Sequence, residues 1–408
     1  MKSQTASAVA SNTHTAKEHV HIMKTGRTIW AGVALGALIA LSGCAASGGD
    51  STDVADPAVV AKIDAALEEI TGTVLSKGPN GEDPSPVSEA AVSDDDAAQI
   101  KAMGLSAAIV MHYGGNDWAN AQIAGLNAEF DRLGIEVVAT TDANFDPAKQ
   151  VSDIETVLTK NPDIIVSIPT DPVATAGAYR KAVEQGVKLV FMDNVPQGFV
   201  AGEDYVSVVS ADNYGNGVTS AYLLARSLGG AGKVGLIYHE ADFFVTKQRY
   251  QGFKDTIEAE FPDIEIVEEQ GIAGPDFAGD AQGVANAMLT KNPDLDGIWA
   301  VWDVPAEGVM AAARETGRTD IKIATEDLGT NVAIALAKDE MVVGLGAQLP
   351  YDQGVAEADL AALAMLGRTV PAYVALSSLP VDHDNVLDAW EKVYHSDAPA
   401  AVKDAYKK

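Results

Sequence analysis

The sequence predicts an α/β protein built as two doubly wound parallel-sheet lobes. From Gly104 onward, short, mostly apolar runs, the first of them apolar at every residue, alternate with segments whose apolar residues recur at steps of three and four. Runs of the first kind suit parallel strands buried on both faces, and segments of the second suit helices with one buried side. The alternation restarts near Asp212, which implies a second lobe of the same kind. Composition agrees: 47% of residues are hydrophobic but only 6% aromatic, as expected of Ala-rich helices packed on Val/Ile strands.

Taken in order, residues 1–22 are polar, and Met23 opens a compact leader that is a second candidate start of translation. Lys24 and Arg27 precede an apolar stretch from Ile29 to Leu41, and Leu41-Ser42-Gly43-Cys44 follows at once. This resembles the bacterial lipobox and implies a signal peptide over 1–43, with Cys44 lipidated as the mature N-terminus. The apolar stretch is shorter than the ~20 residues that span a bilayer, so an uncleaved anchor is the weaker alternative. Residues 44–103 read as a flexible tether and N-terminal extension. Within them, Val60, Ile63, Leu67 and Ile70 predict a helix near 57–71, and Gly78-Pro79-Asn80-Gly81 and Pro84-Ser85-Pro86 break regular structure. Asp94-Asp95-Asp96 reads as a helix start or a solvated face rather than a metal site.

Ala107–Met111 is the first strand, and Ala119, Ile123, Leu126, Phe130 and Leu133 mark one face of the helix after it. Strands follow at Ile135–Ala139, Ile164–Ile168 and Val187–Phe191, with helices at 147–158 and 173–185. Past Asp212, strands near 233–238, 264–269, 297–301, 321–325 and 342–347 alternate with helices near 214–228, 246–260, 278–291, 305–316 and 329–338. In such sheets ligands sit at the carboxyl ends of the strands. Those ends carry His112 to Trp118, Pro169-Thr170-Asp171-Pro172, Asp193-Asn194, His239 to Phe244, Trp302-Asp303, Glu326-Asp327 and Gln348-Leu349-Pro350. Carboxylates and amides bind hydroxyl groups, and aromatic faces cover C–H surface, so the mixture suits a polyhydroxylated ligand.

Other chemistries lack support. A net charge of −30 opposes binding to a phosphate backbone, and Cys44 is the only cysteine, so no disulfide framework or downstream catalytic thiol exists. There is no G-x-S-x-G elbow, and Gly215-Asn216-Gly217 has Ser220 where a dinucleotide loop needs its third glycine. His112 with Asp117, or His239 with Glu240, could suggest a metal, but the two histidines belong to different lobes. A non-catalytic protein without cofactor or metal is expected.

The segments Asn161-Pro162-Asp163-Ile164-Ile165-Val166, Pro169-Thr170-Asp171, Ser210-Ala211-Asp212-Asn213, Gln251-Gly252-Phe253, Asp276-Phe277 and Ala347 to Gly354 occur in a specific order and spacing. Through them, residues 104–382 resemble the ribose-binding branch of the type I periplasmic binding proteins. The resemblance implies two lobes joined by a three-crossing hinge, with crossings near Ala211-Asp212, Gln348-Leu349 and Ser377–Pro380. Lobe 1 would then be 104–211 plus 349–376, lobe 2 would be 212–348 plus 377–395, and 396–408 a C-terminal tail. It also implies an extracytoplasmic receptor that captures a sugar or sugar alcohol for the permease of an ABC importer. Such a receptor would be monomeric, lipid-anchored to the membrane and without nucleic-acid partners. A sensory binding protein for a sugar-like signal, in chemotaxis or autoinducer uptake, is the alternative.

Carried over residue by residue, ligand contacts fall on Asn116, Trp118, Asp193, Asn194, Lys247, Phe277, Trp302, Asp327 and Gln348. His112 joins them where a Ser is usual in that branch, and Trp118 replaces a Phe, Asn194 and Lys247 each an Arg, and Trp302 an Asn. Asp193 and Asp327 have helix capping as their alternative role, the two tryptophans core packing, and Lys247 a solvated surface position.

Overall fold

The computed structural model describes residues 57–406. The leader, Cys44 and the tether over 45–56 lie outside the described residues.

The first sheet contains β1 (Ser106–Met111), β2 (Glu136–Asp142), β3 (Ile164–Ser167), β4 (Lys188–Met192) and β5 (Ser207–Ala211). They are crossed by α3 (Asp117–Leu133), α4 (Pro147–Leu158) and α5 (Ala176–Glu184). The second contains β6 (Ala231–His239), β7 (Asp263–Ile272), β8 (Gly297–Ala300), β9 (Lys322–Glu326) and β10 (Val342–Ala347). Its helices are α6 (Asn213–Ser227), α7 (Phe244–Glu260), α8 (Phe277–Lys291), α9 (Asp303–Thr316) and α10 (Thr330–Ala337). After α11 (Pro350–Met365), β11 (Tyr373–Leu376) completes the first sheet and β12 (Leu379–Val381) the second. The chain then adds α12 (Val386–Tyr394) and α13 (Ala400–Ala405).

The two sheets share one plan, with orders β2-β1-β3-β4-β5-β11 and β7-β6-β8-β9-β10-β12. Every pairing is parallel except β12 against β10, which is antiparallel. Strands β5, β11 and β12 were not anticipated from sequence; each is only three to five residues long. The chain passes between lobes three times, from β5 to α6, from β10 to α11 and from β11 to β12.

Each sheet is buried on both sides. β1 and β3 send Ala107, Ile109, Ile164 and Val166 to one cluster, and Ala108, Val110 and Ile165 to the other. Helices close the faces through glycine contacts. On α7, a Cβ built at Gly252 would stand 2.1 Å from the Tyr214 carbonyl of α6, and one at Gly217 would stand 2.1 Å from the Arg249 carbonyl. α3 and α11 meet in the same way at Gly125 and Gly354.

The extension is ordered over its described part, with helices where the sequence placed them near 57–71 and after Ser93. In α1 (Pro57–Ile70), Ile63 and Leu67 are buried in the second lobe's core, because their apolar stripe finds an apolar partner in α6. The chain then crosses the hinge: Leu75 N, Ser76 N and Ser76 Oγ all donate to the Asp212 carboxylate at 2.7–2.8 Å. Farther on, Ser85 bridges to β11, and Ala97 and Ile100 of α2 (Asp94–Met103) join the first lobe's core. One strap therefore touches both lobes. In the C-terminal tail, Ala398 and Val402 are buried against the second lobe. No helix among the described residues is long and apolar enough to cross a membrane.

Candidate ligand-binding cleft

Both sheets point the carboxyl ends of their strands at one cleft, whose atom-free space, open mouth included, is about 590 Å³. Its walls follow the shared plan of the sheets. His112 follows β1 and His239 ends β6; Asp193 follows β4 and Asp327 follows β9; Gln348 follows β10. Asp193 and Asp327 both adopt left-handed backbone, with φ of 54° and 66°. Asp tolerates this conformation better than most residues, and such strain gathers at functional sites.

Each acidic group has a distinct setting. Arg249, 2% exposed, donates to both oxygens of Asp327 at 2.9 and 3.2 Å and to Asn213 Oδ1 and the Val301 carbonyl. Gln348 Nε2 also donates to Asp327, at 2.9 Å. Asp193 accepts from Ser210 Oγ at 2.5 Å, and burial pushes its pKa up to about 6 despite that bond. Asp303, the first residue of α9, accepts from Val304 N at 2.9 Å, and burial together with nearby Asp327 holds its carboxyl well above the usual range. His112 and His239 are driven down to about 3 and about 4, chiefly by burial, so both are neutral at pH 7.

Rings from both lobes line the space between these groups. His112 stacks on Phe243 with centroids 5.7 Å apart, and Phe145 meets Phe277 edge-on at 5.5 Å. Asp117 accepts from Thr330 N and Thr330 Oγ1, each at 2.7 Å, across the same gap. The lobes therefore meet around the cleft. Three polar atoms on its lining residues are buried with no protein partner: His112 Nδ1, Trp118 Nε1 and Gln348 Oε1. Unpaired polar atoms are costly away from water, which marks these as atoms aimed at a solute.

Of the residues expected from sequence, His112, Asn116, Trp118, Asp193, Trp302, Asp327 and Gln348 line this one cleft. Asn116 also caps α3 through Ala119 N, which occupies its carbonyl oxygen and leaves its NH₂ free to donate. Neither Asp193 nor Asp327 caps a helix: β5 follows the first, and Gly329 caps α10 after the second. Three others lie outside that lining. Lys247 is exposed and pairs with Asp242 at 2.8 Å, because it lies off the buried 245–246–249–252–253 face of α7. Phe277 sits behind the wall, against Trp302 at 4.9 Å and His239 at 5.4 Å. Asn194 is buried with its NH₂ 3.3 Å from the Pro169 carbonyl, outside the lining.

Sequence reasoning put His239, Phe243 and Asp303 on strand-end loops without assigning them ligand contact, and missed Arg249, Phe145, Val245 and Thr246 as lining residues. Helical spacing would have found Arg249, since it falls three residues before Gly252 on the buried face of α7.

Comparison with known proteins follows this geometry. A family model described as "Periplasmic binding protein domain" matches residues 107–369. The ribose import binding protein of Salmonella typhimurium is 25% identical over 248 residues, 61% of this chain and 80% of that protein. The D-apiose import binding protein of Paraburkholderia graminis is 26% identical over 247 residues, 60% and 77% of the two chains. Among solved structures, an ABC transporter solute-binding protein from Agrobacterium vitis with bound allitol superposes with a TM-score of 0.62 at 25% identity. That match covers 71% of this chain and 99% of the other.

Proposed function

Because the chain belongs to the periplasmic binding protein domain family, we propose that it is the extracytoplasmic receptor of an ABC importer, capturing a sugar or sugar alcohol between its lobes. The observation that carries this reading is the cleft itself, where buried carboxylates and amides alternate with aromatic rings at the strand ends of both lobes. Ribose and D-apiose import proteins among its relatives, and allitol in a similar structure, point to the same solute class.

The mechanism is capture by lobe closure. Asp193 of the first lobe and Asp327 and Gln348 of the second grip hydroxyl groups, while Trp118 and Trp302 cover C–H faces. Only the closed arrangement offers both walls at once, so solute shifts the open–closed equilibrium, and the closed form is what a permease recognises. The lipobox-like Leu41-Ser42-Gly43-Cys44 supports a lipid anchor at the outer face of the cell membrane. Monomeric action and freedom from catalysis belong to the same reading.

Titration with pentoses, hexoses, alditols and cyclitols tests it. The matching solute binds one per chain and changes tryptophan emission as Trp118 and Trp302 lose water. At 100 times its dissociation constant it raises stability by about 2.7 kcal/mol. Failure of every member to bind or to stabilise the chain would refute the reading.

A further inference from the structure

The cleft is unbalanced in charge. Its lining holds three carboxylates, Asp193, Asp303 and Asp327, against one cation, Arg249. Arg249 is already engaged by Asp327 on two nitrogens, so its charge is matched inside the wall. Lys247, the other candidate cation, points to solvent. Asp193 and Asp303 are 3% and 6% exposed, and neither forms an ion pair among the described residues. Gln348 adds a third buried acceptor, its unpartnered Oε1.

Asp303 has the more negative setting of the two. Asp327 and Glu307 both act on it electrostatically, and its field reaches the hydroxyl of Tyr113, another lining residue. Trp302 precedes it in the chain and lines the same wall. A buried carboxylate without a counter-ion, flanked by aromatic rings, favours a cation that only donates hydrogen bonds. A hydroxyl group supplies one donor and no charge; an ammonium supplies three donors and the missing charge.

We propose that the solute is a polyol carrying an ammonium group, an amino sugar or amino-alditol, and that Asp303 is the residue that selects it. This rests on the reading of the cleft as a polyol site: Asp193 and Gln348 accept from hydroxyls, and Asp303 takes the ammonium. Burial raises the Asp303 carboxyl above its ordinary range, so an ammonium placed beside it favours release of its proton, which a neutral polyol does not.

The test is calorimetric titration of the whole chain with amino sugars and amino-alditols, each beside its hydroxyl counterpart, in two buffers of different ionisation enthalpy. The amine is expected to bind about tenfold more tightly than its counterpart, the margin of a charged over a neutral hydrogen bond. Its heat should depend on the buffer, and Asp303→Asn should abolish both the margin and that dependence. The wild-type comparison decides the matter even if the variant folds poorly. Tighter binding by the neutral member of the pair, or a margin unchanged in folded Asp303→Asn, overturns the amine proposal and leaves the polyol reading standing. No binding by any member of either series overturns the polyol reading and the proposal with it.

Discussion

Arg249 and Asp327 form a charge pair that neither could keep alone at 2% and 9% exposure. Removing one partner from a buried pair leaves an uncompensated charge and typically costs about 3–5 kcal/mol. Arg249→Met should therefore lower the urea midpoint by a corresponding amount and abolish sugar binding, because Asp327 loses the donors that orient it. A midpoint within error of wild type would contradict the pairing. Beneath this pair, Glu326 accepts from Ser220 Oγ at 2.7 Å and Trp299 Nε1 at 3.0 Å, and burial lifts its pKa to about 8. At pH 7 the folded chain thus holds a proton there that the unfolded chain has released. The stability Glu326 confers is complete below about pH 4.5 and is lost as pH rises toward 8, at up to about 1.4 kcal/mol per pH unit. Glu326→Gln, neutral throughout, should lack this slope, so its advantage over wild type should grow between pH 5 and pH 8. Denaturant melts at three pH values give the comparison; parallel curves for the two proteins would place a carboxylate at Glu326 in the folded state.

The closest helix contacts depend on missing side chains. Gly252→Ala would gain helix propensity, about 1 kcal/mol, yet must push α7 away from the Tyr214 carbonyl. The overpacking cost of roughly 1–3 kcal/mol is the larger effect, so a lower melting temperature is expected. An unchanged or raised value would mean that the pair α6 and α7 separates freely. Such contacts were not legible in the sequence, because a glycine in a helical pattern does not say what approaches it. The long elements were: the continuous apolar run Ala107–Met111 and the nearly apolar Ile164–Ile168, broken only at Ser167, reported strands buried on two faces, and the lobes repeat that plan. Short β5, β11 and β12 were not, since three to five residues carry too little periodicity and their place is fixed by partners far along the chain. At the site, residues just past strand ends were readable, whereas Arg249, Val245 and Thr246 enter the cleft from α7, where topology alone assigns no role.

At the scale of the whole molecule, the strap over residues 57–90 belongs to both lobes and to the hinge between them. Burying Ile63, Leu67 and Ile70 contributes roughly 1.5–3 kcal/mol each. A chain lacking everything before residue 91 should melt several degrees lower and release its solute faster, because the Asp212 crossing loses its Ser76 partners. Equal melting and release rates would show the strap to be idle. Its contacts also set an order of events. The strap is among the first described segments to be synthesised, yet Asp212 lies past the first five strands of the first lobe, and the Ser85 bridge waits for β11. Neither sheet gains its last strand until β11 and β12 exist, near the end of the chain. A chain emerging N-terminus first therefore keeps both sheets unfinished until almost all of it is available, and non-local pairing of this kind is slow. For a protein of an extracytoplasmic family, that delay means the finished receptor forms only after nearly the whole chain is available, which favours folding after synthesis over folding during it.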